Sequence, residues 1–169
     1  MSPAAHRRGN HDRSTHHAVR RTVTAVARDD IAGLVHRYAD AVVHFDGEQW
    51  GSCWADDAHW VLGPGRDVTG RPAIVELWNL AMSSFRAVIQ NVLNGDVELD
   101  GDTGSGRWYI MEHCVRGNDS RTILLAHYDD TYVRRDGRWY FASRQLHIQY
   151  QGPPDLSGPF LNDWSARPA

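Results

Sequence analysis

From Asp29 onward the apolar positions keep a helical spacing: Ile31, Leu34, Val35, Tyr38, Val42 and Phe45 form one stripe along a helix that Asp29 or Asp30 can cap. His36, Asp40 and His44 are expected to face water, because two residues of helix turn through about 200° and carry them to the opposite side. Asp46-Gly47 interrupts the pattern. A shorter helical segment carrying Trp50 and Trp54 follows, then Asp56-Asp57, a strand-like His59-Trp60-Val61-Leu62 and a turn at Gly63-Pro64-Gly65. A third helix is predicted over residues 72–85, with Pro72 in its first turn and Ile74, Val75, Leu77, Trp78 and Met82 as its apolar positions.

The second half changes period. Residues 88–99, 106–115, 122–133 and 138–149 read as four strands, divided by Asp100-Gly101-Asp102, Gly117-Asn118-Asp119 and Asp136-Gly137. Helices followed by consecutive strands predict an α+β domain in which a curved, mainly antiparallel sheet wraps three N-terminal helices. Strand alternation puts Trp108, Ile110, Glu112 and Cys114 on one face and Arg107, Tyr109, Met111 and His113 on the other; Leu124, Ala126, Tyr128, Asp130 and Tyr132 also share a face. An outer face carrying Tyr109, Met111, Ile123 and Leu125 is expected to form a homodimer.

Composition narrows the function. With 169 residues, 41% hydrophobic and 23% charged, the chain suits one domain large enough to hold an internal pocket. The division expected is a disordered Arg/His-rich tail over residues 1–28, the folded domain over 29–150 and a Pro/Gly-rich tail over 151–169. Leu156, Phe160, Leu161 and Trp164 of the second tail can lie over a pocket mouth or a neighbouring subunit. A net charge of -3 argues against a nucleic-acid partner. All 18 basic side chains are arginine, which excludes a Schiff-base or phosphate-loop lysine. Cys53 and Cys114 are far apart and read as buried thiols in a reducing compartment. With no apolar run of membrane length and no signal-peptide core, the chain reads as soluble and cytoplasmic, with no membrane partner. The ten histidines show no HxxxH, HxH or HExxH spacing in the folded part, so no metal is expected. His59, His113, His127 and His147 fall one per strand, and two of them can still converge in space.

A resemblance enters with the motifs. Arg37-Tyr38, Trp54-Ala55-Asp56-Asp57-Ala58, Gly70-Arg71-Pro72-Ala73-Ile74, the run from Asp100-Gly101-Asp102 through Gly106-Arg107-Trp108-Tyr109, and Tyr128-Asp129-Asp130-Thr131-Tyr132 followed by Asp136-Gly137-Arg138-Trp139 arrive in the order seen in one family. The chain resembles the SnoaL-like branch of the nuclear transport factor 2-like superfamily over about residues 29–150. The resemblance implies a cone-shaped barrel and a range of functions: ketosteroid isomerases, polyketide cyclases, scytalone and bile-acid dehydratases, and dioxygenase β subunits. It makes Tyr38 the helix-one tyrosine that serves as acid or oxyanion donor. In ungapped register the isomerase base falls on Leu62, the dehydratase aspartate on Val43 and the dehydratase histidine near Gln90. Glu112 keeps an ionisable group where the bile-acid dehydratase has an aspartate.

The expectation is therefore a cofactor-independent acid-base enzyme, an isomerase, dehydratase or cyclase, acting on a small hydrophobic metabolite such as a polyketide, steroid or terpenoid. Tyr38, Glu112, Tyr128 and Asp130 are its candidate catalytic residues, and Trp60, Trp78, Gln90, Trp108 and Ile110 its candidate substrate-binding residues. The alternative is a non-catalytic ligand-binding or assembly subunit related to dioxygenase β subunits.

Overall fold

The computed structural model describes residues 10–161, with side chains from residue 25 onward. Three helices, α1 (Asn10–His44), α2 (Gly47–Gly51) and α3 (Arg71–Met82), accompany strands β1 (Trp54–Val61), β2 (Asp67–Thr69), β3 (Phe85–Asp100), β4 (Thr103–Arg116), β5 (Arg121–Arg135) and β6 (Arg138–Gly152). The strands form one open mixed sheet in the order β2-β1-β6-β5-β4-β3. Every neighbouring pair is antiparallel except β1 with β6, which run parallel because β2, α3 and the antiparallel strands β3 to β5 between them return the chain in the same direction.

The stripe read from the sequence is the buried side of α1: Ile31, Leu34, Val35, Tyr38, Ala41 and Val42 are all buried, while His36, Asp40 and His44 are exposed. Phe45 leaves the stripe. It adopts a positive φ of 56° that stops α1, and Asp46 then caps α2 by accepting a hydrogen bond from the Gln49 amide at 2.9 Å. At its other end α1 starts at Asn10, so the segment expected to be disordered up to residue 28 is helical from there. No Gly or Pro interrupts residues 10–32, and a helix already docked by its C-terminal half extends at far lower cost than it nucleates. Residues 25–30 make little use of packing, since all but Ala27 are exposed. Trp54, expected in the second helix, opens β1 instead, and its ring packs at 5.3 Å from Trp50.

All four long strands form close to where the alternation placed them. Their inner faces and the helices share a core rich in tryptophan, with Trp50 and Trp54 fully buried and Trp60, Trp78 and Trp139 nearly so. One glycine is required by this packing. Gly95 lies across from Trp108 at a bulge in β3, and a Cβ there would come within 2.4 Å of the indole ring. Beyond β6 the chain folds back, with Phe160 bridging to Tyr150 and its ring packing at a tilt against that of Tyr150, centroids 4.8 Å apart. Tyr150 also donates to the Pro153 carbonyl, so the C-terminal segment covers one end of β6. Trp164 lies outside the described residues. No helix among the described residues is long and apolar enough to cross a membrane.

Candidate active site

Between the helices and the inner face of the sheet lies a cavity of about 210 Å³. Its walls are apolar: Val42 from α1, Trp60 and Leu62 around the end of β1, Trp78 and Met82 from α3, and Leu124, Leu146 and Ile148 from β5 and β6. Four polar groups reach its interior, namely Tyr38, Gln90, Glu112 and Tyr128, while the half-buried or exposed Arg66, Ser84, Arg116 and Gln151 mark the mouth. Two wider surface clefts contain none of Tyr38, Glu112 and Tyr128.

Glu112 and Gln90 are direct cross-strand partners on β4 and β3, which is why two residues distant in sequence meet. The Gln90 amide donates to Glu112 Oε1 at 2.5 Å, and Oε2 has no partner among the described residues. Burial pushes the Glu112 carboxyl above its usual range, only partly offset by the Gln90 bond, and no arginine among the described residues counters it. Tyr38 is pushed up to about 12 by burial against the smaller opposing effect of Arg144, so it holds its proton at neutral pH. Tyr128 is likewise raised well above its ordinary value, again chiefly by burial, and the two phenols influence each other's ionisation.

Beneath this pair of tyrosines sits a different arrangement. The buried Arg144 guanidinium stacks over the rings of Tyr128, Phe141 and Tyr38 at 4.0, 4.2 and 4.3 Å. It also donates two hydrogen bonds to Asp130, Nε to Oδ1 at 2.9 Å and NH2 to Oδ2 at 3.1 Å. Tyr132 donates to the same carboxylate at 2.9 Å and accepts from the indole N–H of Trp108 at 2.9 Å. Asp130, expected among the catalytic residues, thus accepts three hydrogen bonds from Arg144 and Tyr132 and is not among the residues that line the cavity.

Of the other expected residues, Trp60, Trp78 and Gln90 line the cavity. Trp108 and Ile110 are correctly on the inner face but do not reach it. Trp108 is held by Tyr132 and lies edge-on to His36, and Ile110 packs in a smaller cluster with Leu124, Ala126 and Tyr128. Sequence reasoning missed the mouth arginines Arg66 and Arg116 and the β6 wall of Leu146 and Ile148. For the β6 pair a signal existed, since both alternate in phase with Arg144. Trp60 adds one more donor, because its indole N–H is buried with no partner among the described residues.

Comparison with known proteins agrees with this architecture. A family model described as a SnoaL-like domain matches residues 23–145. Gamma-hexachlorocyclohexane dehydrochlorinase of Sphingobium indicum is 30% identical over 129 residues, covering 72% of this chain and 82% of the relative. A scytalone dehydratase-like protein of Novosphingobium aromaticivorans superposes with a TM-score of 0.74 at 20% identity, over 86% of this chain and 97% of the other. A hexachlorocyclohexane dehydrochlorinase of Novosphingobium barchaimii gives 0.71 at 22% identity, over 83% and 97%. At that identity the structural matches speak for the fold alone. The chain belongs to the SnoaL-like domain family, within the nuclear transport factor 2-like superfamily.

Proposed function

We propose that this protein is a cofactor-independent lyase or isomerase that removes a proton from a small hydrophobic substrate, with Glu112 as the base and Tyr38 as the hydrogen-bond donor to the group that gains negative charge. The observation that carries the reading is a carboxylate at the wall of an apolar cavity with an amide as its hydrogen-bond partner and no salt-bridge partner among the described residues. A carboxylate raised toward neutrality by desolvation is a stronger base than one in water, and proton transfer is most efficient when the two pKa values approach each other.

In an elimination, Glu112 takes the proton from one carbon, its C–H electrons become the new double bond, and a hydroxide or halide leaves from the neighbouring carbon. In an isomerisation the proton returns to a different carbon of the same substrate. Gln90 holds one carboxylate oxygen so that the other meets the substrate, and Tyr38, protonated at neutral pH, steadies the leaving group or enolate oxygen. The relative named as a dehydrochlorinase supports the lyase alternative. A cavity of about 210 Å³ lies below the roughly 300–1,000 Å³ of sites for drug-sized ligands, favouring a compact alicyclic or aromatic metabolite.

The direct test is proton exchange. The protein is incubated in deuterated buffer with a panel of small cyclic ketones, alcohols and chlorinated cyclohexanes, and mass spectrometry reads deuterium uptake, loss of water or loss of chloride. Label or elimination that requires Glu112 is expected for at least one class; exchange at the same rate with Glu112→Gln sinks the assignment.

A further inference from the structure

The face of the sheet turned away from the cavity carries a second cluster of reactive side chains. His127 of β5 and His147 of β6 are direct cross-strand partners, and their rings stack with centroids 4.8 Å apart and planes 12° from parallel. Asp129, two residues beyond His127, brings Oδ2 to 3.3 Å from His147 Nε2 and 3.9 Å from His127 Nε2. Arg107 fixes that carboxylate from β4, donating from Nε to Oδ1 at 2.6 Å and from NH2 to Oδ2 at 3.0 Å. One donor atom from each of His127, Asp129 and His147 lies within 4.8 Å of the others.

Two details point to a cation. His147 Nε2 is buried without a hydrogen-bond partner among the described residues, although a carboxylate oxygen stands close by. If that nitrogen presents its lone pair, it faces another lone pair, and the approach becomes favourable when a proton or a cation lies between them. The second detail is Gln149, whose side-chain amide meets His127 Nδ1 at 2.9 Å. Its oxygen and nitrogen are interchangeable at the level of the geometry, and with the oxygen toward the ring it accepts from Nδ1–H, leaving the Nε2 lone pair free. A hydrogen bond at the far ring nitrogen is how ligating histidines are oriented in metal sites.

We propose that His127, His147 and Asp129 form a binding site for a late first-row divalent cation, with Zn²⁺ the natural occupant, on the outer face of the sheet. Two imidazole nitrogens and one carboxylate oxygen are the ligand set such ions prefer. Bonds of roughly 2.0–2.1 Å around a tetrahedral ion separate its ligands by roughly 3.3 Å, so the His147–Asp129 spacing already fits, while His127 has to approach and the two stacked imidazoles have to rotate out of their near-parallel planes for both lone pairs to meet the ion. Arg107 keeps a positive charge beside the carboxylate and makes the site reversible. Mg²⁺, which requires oxygen ligands in near-octahedral geometry, is not accommodated. The inference is independent of the reaction assigned to the cavity.

Zn²⁺ is titrated into the full chain against a chromophoric chelator, in parallel with the His127→Gln/His147→Gln double variant. His6, His11, His16 and His17 are present in both proteins, so the difference between them counts the outer-face site alone. One equivalent more is expected in the parent than in the double variant, Asp129→Asn is expected to weaken that equivalent at least about tenfold, the order of a single lost interaction in such sites, and Mg²⁺ is expected to compete in neither. Equal stoichiometry and affinity in parent and double variant overturns the proposal. Should the double variant lose its fold by circular dichroism, histidine side-chain nitrogen spectra of the unmodified protein decide: shifts at His127 and His147 support the site, and shifts confined to the N-terminal histidines overturn it.

Discussion

Two carboxylates on neighbouring strands, Asp130 on β5 and Glu112 on β4, both point into the helix-covered side of the sheet, yet their surroundings differ in one respect. Asp130 receives two hydrogen bonds from a buried guanidinium and one from Tyr132. Glu112 receives one, from an amide, and borders a cavity. A buried charge with a matched countercharge is fixed as part of the core, and removing one partner strands the other. A buried carboxylate without a countercharge costs the fold stability and repays nothing structurally, which is the condition expected at a site kept for chemistry.

The sharpest way to break the comparison is kinetic. Once a substrate is identified, Glu112→Gln and Tyr38→Phe should each lower turnover by roughly 10²–10⁴-fold, the usual worth of one positioned acid or base. Asp130→Asn should instead act on folding, costing about 3–5 kcal/mol as Arg144 is left uncompensated, measured by urea unfolding. A Glu112→Gln protein as damaged in stability as Asp130→Asn, with no specific loss of rate, would erase the distinction. Tyr132→Phe is a smaller probe of the structural side. It removes one bond to Asp130 and the acceptor of the Trp108 indole, and should cost about 1–3 kcal/mol.

The smallest effect is in pH dependence, and its sign follows from the upward shift of the Glu112 carboxyl. Because burial raises the Glu112 carboxyl in the folded protein, the folded state holds this proton more tightly than the unfolded chain does. The contribution is fully present below the ordinary carboxylate value and is lost as pH rises through the raised one. The parent should therefore lose Tm relative to Glu112→Gln as pH climbs from about 4.5 through that window, then run parallel to it. A difference that grows in the other direction would mean that Glu112 is paired after all. Turnover, which needs the deprotonated base, should rise over the same window. Light scattering at micromolar concentration separately tests the homodimer expected for the outer face carrying Tyr109, Met111, Ile123 and Leu125.

Local pattern was enough to determine the three helices and the four long strands in their order, the buried stripe of α1, the exposed His36, Asp40 and His44, and the inward direction of Glu112, Tyr128 and Asp130, though not the short β2. Each of these follows from periods of 3.6 or 2 residues and from turn chemistry, which act within a few positions of the chain. The start of α1 at Asn10 escaped because the residues before Asp29 lack apolar periodicity, and a helix extended from a docked neighbour needs none. Which inward-facing groups would touch a cavity and which would be spent on one another was not a local matter. The register of β3 against β4 brought Gln90 to Glu112, and that of β5 against β6 brought Arg144 to Asp130 and His127 to His147. Partners 14 to 22 residues apart are chosen by strand pairing and bulges, so only the tertiary structure decided which carboxylate was neutralised and which was left facing the cavity.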